Sequence, residues 1–596
     1  MLAAVLLHAV VQWNALLFVG DAPFSHLRTY ASPDQLGYMA ISADVAHGNW
    51  ARVEPYTETG LNTYPRLYYT LIGALAGLFH ISPVLAWNLT GALLQSVMVG
   101  GLAALLVRLS GRRWAALGAP LAFLVGVGGW LVQGSWRITL EAHAVLWGPY
   151  GVLTILNAEA AGLSIGIGAL ILLAFAWLTP RTPRTRFLLT VAAAALVGVT
   201  ANGQTYSFLM LVYLVGAIVS LHALISGRRW VLLGLTGALL AAMYALGPLA
   251  AGRLGQLPTL VLGLTPFLPG IAVIAVRHLR PTLATAGACA ALAAPQILTT
   301  VRDLGSGDPF LTYRVASNKN LGVMFPETAV AMAPVAIPLL LLLVVTWRRD
   351  PKLAAASLAG LVVWPYGAAN DVWGANAEPY RFWIDLLVVA SVIVMIVLAA
   401  LAGAPDGRPG TPDGGPAPRR PAPLRAVTAA TLALYALTLP DYALWVTNPG
   451  MRATWNPHTP RAQAVAATAS RADDGTSALL LPDRCLNSQT VKVTSGAPLA
   501  YYRLGMAWPA DRAAVDRVMG QTRKKLTLAA AGEAGVRYVV ADSACDQGWL
   551  ADVRDHLDEV TSADYTPRPD LIEGAAPGAS TAPADAPQRI TLYRLR

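Results

Sequence analysis

Apolar stretches of 17–25 residues recur from Leu2 to Trp445, each long enough to cross a hydrocarbon core ~30 Å thick. Inside lipid no water bonds the peptide groups, so such segments must be helical. We expect about thirteen spans, at 2–20, 81–107, 114–133, 160–178, 187–201, 206–225, 230–251, 257–276, 282–300, 326–346, 353–369, 382–402 and 426–445. The stretch 65–80 is apolar but short and is expected as a tilted or juxtamembrane helix. The first stretch lacks a basic leader and a clear cleavage site, so it reads as a retained helix rather than a signal peptide. Charged residues make up only 13% of the chain, against roughly a quarter in soluble domains.

The charges that remain are grouped. Arg108/Arg112/Arg113, Arg181/Arg184/Arg186, Arg228/Arg229, Arg277/Arg280, Arg348/Arg349/Lys352 and Arg408/Arg419/Arg420/Arg425 punctuate the apolar runs, seventeen cations in all. The alternate loops hold nine. By the positive-inside rule the first set is cytoplasmic. This predicts a multi-pass plasma-membrane protein with a cytoplasmic N-terminus and an extracytoplasmic tail. The net charge of +10 then reflects topology, not nucleic-acid binding.

Two regions follow. Residues 1–446 form a membrane domain with a long outer loop at 21–64 and a Pro/Gly-rich cytoplasmic loop at 403–424. Residues 447–596 have ordinary composition and read as a soluble α/β domain, with strands at 478–481, 536–541 and 589–595 and helices at 510–519 and 526–534. Cys485 and Cys545 are the tail's only cysteines, and an oxidising compartment would pair them.

Polar chemistry gathers in four outer segments. The first loop carries Asp21, Asp34, Asp44, Glu54 and Glu58, and ends at Tyr64-Pro65-Arg66-Leu67-Tyr68-Tyr69. The second segment holds Arg137, Glu141, His143, Asn157 and Glu159. The third holds Arg302, Asp303, Asp308, Arg314, Asn318 and Lys319. The fourth holds Asn370, Asp371, Trp373, Glu378, Tyr380 and Arg381. Carboxylates can act as general bases or hold a divalent cation. Arginines can grip phosphate with a planar fork. Each type also has a plainer use. Asp21, Asp44 and Glu58 read as solvated loop acids, and Tyr64, Tyr68, Tyr69 and Trp373 as interfacial anchors. No zinc-type His/Cys spacing, Gly-rich nucleotide loop or Ser-His-Asp signature occurs.

The layout resembles the GT-C superfamily of membrane glycosyltransferases. A first helix leads into a large outer loop with an early acid, Pro33-Asp34-Gln35 followed by Tyr38, and then a Tyr-Pro-x-x-Tyr segment from Tyr64 to Tyr68. Glu378-Pro379-Tyr380-Arg381-Phe382 at the mouth of a late helix and Gly535-Val536-Arg537-Tyr538-Val539-Val540 in the tail are also similar to members. Composition and plan look like actinobacterial cell-envelope arabinofuranosyl- or mannosyltransferases. Many members carry paired acids in the first loop, whereas Gln35 follows Asp34 here.

The resemblance implies sugar transfer from a polyprenyl-phosphate donor to a cell-envelope glycan or lipid acceptor on the extracytoplasmic side. Asp34 would be the base. Arg302, Arg314 and Arg381 would meet the leaving phosphate. Gln35, Tyr38, Glu54, Tyr64, Arg137, Glu159, Lys319, Glu378 and Tyr380 complete the substrate-contacting candidates, with Glu54 and Glu159 as substitute bases. A divalent cation is one cofactor such carboxylates could hold, but no residue set is assigned to a metal. Two other classes compete: a transporter or flippase of a lipid-linked glycan, which needs polar residues at mid-membrane, and a non-catalytic envelope scaffold.

Overall fold

The computed structural model describes residues 1–17, 23–28, 34–317, 322–403, 422–448, 454–472, 478–500, 508–521, 524–567 and 586–596. The chain divides into two compact units. One comprises Met1–Asn14, Gly91–Gly307 and Leu311–Met451; the other comprises Ala15–Thr90, Asp308–Phe310 and Arg452–Arg596.

Among the described residues, nine helices are long and apolar enough to cross a membrane: Pro83–Ser110, Ala158–Leu178, Thr205–Ser226, Trp230–Leu254, Gln256–Arg277, Leu279–Gly305, Pro326–Thr346, Pro379–Gly403 and Pro423–Thr447. The other four expected spans are not among them. The helix Leu2–Leu17 has 16 residues. The helices Pro183–Thr200 and Pro351–Ala368 have 18 residues each and carry Arg184, Arg186 and Lys352 in their first turns. The stretch 114–133 is not one helix. It begins as a 3-10 turn at Arg113–Leu117, makes a single α-turn at Gly118–Leu121 and then runs irregularly. Pro120, Gly126, Gly128 and Gly129 explain this, since proline and glycine both weaken a helix interior. The peptide groups so freed are bonded by side chains. Asp441 accepts from Val127 N and Trp130 N, both at 2.9 Å, and Thr438 Oγ1 accepts from Gly126 N at 2.8 Å. Non-helical backbone at membrane depth is tolerated only under such cover. Nine of the thirteen expected spans are thus matched by long apolar helices among the described residues.

Buried polar side chains cross-link this first unit. Gln95 Oε1 accepts from the His8 ring at 3.0 Å and from Trp13 at 3.3 Å, and Gln95 Nε2 donates to Leu153 O at 2.6 Å. Trp230–Leu254 and Leu279–Gly305 are each only 11% buried across their apolar windows, as suits helices turned towards lipid.

The second unit contains a four-stranded sheet. Leu479–Pro482 pairs in parallel with Val536–Asp542, which pairs antiparallel with Gln588–Leu595, which pairs antiparallel with the edge strand Leu557–Tyr565. Three of these strands match the expected positions. The fourth was not foreseen, because Leu-Asp-Glu-Val-Thr-Ser-Ala-Asp-Tyr shows no clean apolar alternation and its side chains are mostly half-buried or exposed. Residues 15–90 belong to the same unit as this sheet. Leu27–Arg28 pairs antiparallel with Thr454–Trp455, and Leu499 N donates to Tyr56 O at 2.6 Å. The helix Leu67–Phe79, 13 residues long, packs against Asp34–Ala46. Gly73 permits the close approach: a Cβ there would lie 2.4 Å from Ser42 O.

Candidate functional site

In the first unit, the side chain of Asn157 caps Ala158–Leu178 by accepting from Glu159 N and Ala160 N, both at 3.1 Å. This sets Glu159 in the first turn, where the helix dipole favours negative charge. Ahead of Pro379–Gly403 the chain makes a tight loop. Asn370 Nδ2 donates to Gly367 O at 2.9 Å and Asn370 Oδ1 accepts from Ala377 N at 2.6 Å. Asn376 and Glu378 sit in the left-handed region, with φ of 47° and 42°. A non-glycine residue held there stores of order 1–3 kcal/mol, which the surrounding packing must offset.

The loop delivers Glu378 to Arg381. Arg381 Nε donates to Glu378 Oε2, and Nη1 donates to Glu159 Oε2 at 2.5 Å. The Arg381 side chain is 18% exposed and both carboxylates are 2% exposed. Tyr380 and Tyr206 lie 5.2 and 6.0 Å from the guanidinium, and the His143 ring stacks on Tyr380 at 4.9 Å. Burial first, and then the Arg381 charge, hold the His143 imidazole below its ordinary pKa. One turn deeper, buried Asp385 accepts from Ser207 Oγ at 3.0 Å. Glu159 Oε1 and Asp385 Oδ1 are buried without a hydrogen-bond partner. The cluster thus sets three carboxylates against one guanidinium. A phosphate reaching Arg381 competes with Glu378 and Glu159 for the guanidinium.

In the second unit Asp34 opens the helix Asp34–Ala46 and is exposed, while Gln35 is buried with its Oε1 unpartnered. Tyr38 stacks on Tyr69 at 5.0 Å and on Tyr64 at 5.5 Å, and Trp87 extends the stack from Tyr69 at 5.4 Å. Glu54 is fully buried. Its oxygens accept from Tyr56 N (3.1 Å), Thr57 N (2.7 Å) and Thr57 Oγ1 (2.9 Å), and burial raises its pKa to about 7. Glu54 therefore closes a turn and has no oxygen facing water. Arg66 is engaged likewise, donating to Ala51 O at 2.7 Å and to Thr70 Oγ1 at 3.3 Å.

Several plain expectations need correcting. Asp44 is not solvated: it is 7% exposed and lies 2.7 Å from the ammonium of Lys492, which also donates to Glu58 Oε1 at 2.8 Å and to Gly496 O at 3.0 Å. Tyr68, Tyr69 and Trp373 are not edge anchors but are 5%, 1% and 0% exposed, because each packs against other aromatic rings. Asp21 lies outside the described residues.

The remaining candidates are placed apart from the Arg381 cluster's contacts. Arg137 pairs with Glu141 at 2.8 Å and lies over Trp147 at 4.9 Å. Arg302 pairs with Asp303 at 2.8 Å and is 72% exposed. The side chain of Arg314 and the whole of Lys319 lie outside the described residues. Sequence reasoning missed Asp385 and Lys492. An acid in the otherwise apolar run 382–402 was the available signal for Asp385; nothing local marks Lys492.

Cys485 and Cys545 form a disulfide with a Cα separation of 6.1 Å. Among the described residues, only Asp483, Cys485 and Cys545 bring three ligand-type atoms close enough to share a metal ion. They do not fit one: the cysteines are bonded to each other, and the Arg461 guanidinium lies 3.2 and 3.7 Å from the two sulfurs.

No family model matches the chain, and no curated protein matches it. Among solved structures it is similar to the archaeal oligosaccharyltransferase AglB from Archaeoglobus fulgidus in complex with an inhibitory peptide and a dolichol-phosphate, at 12% identity over 91% of this chain and 68% of that one, TM-score 0.45. It is also similar to ArnT from Cupriavidus metallidurans bound to undecaprenyl phosphate, at 13% identity over 100% of this chain and 97% of that one, TM-score 0.44. Likenesses this distant carry no argument about activity.

Proposed function

We propose that this chain is a membrane glycosyltransferase of the GT-C type. It moves a sugar from a polyprenyl-phosphate donor to a glycan or lipid acceptor of the cell envelope, on the extracytoplasmic side. The observation that carries the proposal is the part-exposed Arg381, set between two buried carboxylates at the first turn of the apolar helix Pro379–Gly403. A guanidinium at the mouth of a span suits an anionic lipid headgroup, because its fork can bond two phosphate oxygens at once. The donor phosphate displaces Glu378 or Glu159 from Arg381. As transfer proceeds, the bond from the anomeric carbon to the phosphate oxygen breaks and charge builds on the departing polyprenyl phosphate. Arg381 stabilises that charge, the electrostatic share of catalysis. The acceptor oxygen bonds to the anomeric carbon with inversion. Its proton passes to a water-accessible carboxylate, for which Asp34 is our candidate. No step is routed through a metal.

The test uses the full chain in vesicles containing polyprenyl-phosphate sugars and candidate acceptors. Mass spectrometry should detect free polyprenyl phosphate and glycosylated acceptor in equal amounts. Donor lipid crossing the bilayer without its sugar bond breaking would instead establish the transporter reading. One feature favours that second reading: Asp385, an acid one turn inside a candidate span with one oxygen unpartnered.

A further inference from the structure

We infer that the first unit binds one anionic phospholipid in a cavity at the opposite end of the bundle helices from Arg381, with the headgroup drawn by Lys352 and the arginines around it. The cavity, about 70 Å³ and open on one side, lies among the last turns of Ala158–Leu178, the second half of Thr205–Ser226, the first turns of Pro351–Ala368 and the middle of Pro379–Gly403. Its wall is apolar, from Leu170, Trp177, Ile218, Ile393 and Ile396, and Lys352 is the charged residue on it. Glu159 and Trp177 stand at opposite ends of one helix, about 27 Å apart at 1.5 Å per residue. The cavity is therefore separate from the Arg381 cluster.

Lys352 marks the mouth. Its Nζ donates to Trp177 O at 2.7 Å, which ties the end of one helix to the start of the other. Arg181, Arg184 and Arg186 follow the first of these helices, and Arg348 and Arg349 precede the second. Trp230 stacks on Trp347 at 6.2 Å and brings in Arg228 and Arg229. Against these cations the same segments offer one acid, Asp350. Its carboxylate is occupied in capping Pro351–Ala368, accepting from Lys352 N at 2.8 Å and Leu353 N at 3.3 Å.

Two facts choose the occupant. Three of the four walls are candidate spans and the lining is apolar, which suits a hydrocarbon chain. The local charge is strongly positive, and each basic residue near a membrane surface favours anionic lipid. An acyl chain laid along this apolar wall with a phosphate at Lys352 satisfies both; a neutral lipid leaves the charge unmatched.

Native mass spectrometry of the full chain, exchanged against phosphatidylglycerol or phosphatidylcholine with identical acyl chains, tests the inference. We expect one phosphatidylglycerol retained about fivefold better than phosphatidylcholine, the preference that a single juxtamembrane cation supplies. Lys352→Gln keeps a donor for Trp177 O and should lose most of that preference. Lys352→Arg should retain it. Ala356→Trp should fill the cavity and reduce retention of both lipids. Equal retention of the two lipids by the native chain would overturn the inference. So would an undiminished preference in Lys352→Gln, unaltered retention in Ala356→Trp, or a lipid-free dimer in which a second copy covers the opening.

Discussion

Each unit buries one cation between two carboxylates, and the two arrangements differ in what they leave open. Lys492 is fully buried, and its three donors meet Asp44, Glu58 and Gly496 O. An ammonium is a compact point charge with three donors, and here none of them faces water. It joins the loop that holds Asp44 and Glu58 to the tail within the second unit and has nothing to offer a ligand. Arg381 carries the same ratio of charge, yet its side chain is 18% exposed and Glu159 keeps an unpartnered oxygen. Its planar fork can exchange one carboxylate for another planar or tetrahedral anion without losing its geometry. A buried ion pair is weak evidence for stability and weaker for function. What separates staple from candidate site is whether the cation can be reached from outside: Lys492 is 0% exposed and Arg381 18%.

Four substitutions and one pH series can break or sharpen that contrast. The largest effect should come from Asp34→Asn, which keeps the capping ability of the helix start but cannot take a proton. Transfer should fall at least a hundredfold, since a lost general base costs roughly 10²–10⁴ in rate. Donor binding and membrane insertion should persist. Near-normal turnover would remove Asp34 from the mechanism and pass its role to Glu159.

Lys492→Met should destabilise the second unit by roughly 3–5 kcal/mol, the usual result of leaving buried carboxylates uncompensated. Hydrogen exchange in the full chain would show this as lost protection at 479–482 and 536–542. Unchanged protection would mean the triad is no staple. Cys485→Ser, which opens a loop closed over a sequence separation of 60, should cost roughly 3–4 kcal/mol in the same strands. Little change there would show that the sheet holds the loop without the bridge.

Arg381→Lys tests the other half of the contrast. It keeps the charge but loses the fork, so donor affinity should drop about 10- to 100-fold, the worth of a charge-assisted hydrogen bond. Protection in the first unit should change little. Full donor affinity would make Arg381 a staple as well.

The smallest effect concerns pH. Burial, outweighing the Lys492 ammonium, raises Asp44 to about 7, and burial does the same for Glu54. An acid with a raised native pKa binds more protons folded than unfolded, so stability is full below about pH 4 and falls as pH rises towards 7. The second unit should lose at least about 1 kcal/mol between pH 5 and pH 7. Asp44→Asn should flatten that slope, and an opposite slope would refute the assignment.

How much of this was legible in the chain can be judged residue by residue. Among the described residues, nine helices were visible as apolar runs, because lipid leaves the backbone no alternative to helix. The Arg381 segment was visible because cations beside apolar runs are conspicuous. The failure at 114–133 came from hydropathy outweighing Pro120 and the glycines that follow. Their freed peptide groups find Asp441, more than three hundred residues away. The edge strand Leu557–Tyr565 was hidden because an exposed face needs no apolar alternation.

The amino-acid sequence by itself determined that this is a chain for lipid, with apolar helices, cations gathered between them and a tail of ordinary composition able to form one disulfide. Those properties depend on composition and on spacing along the chain. Tertiary structure alone decided that Asp44 and Glu58 meet Lys492, that residues 15–90 share a unit with the tail, and that Arg381 reaches Glu159 across 222 positions. Pairing of buried charges depends on distance in space and on desolvation. A carboxylate in a loop looks the same in sequence whether water or an ammonium awaits it.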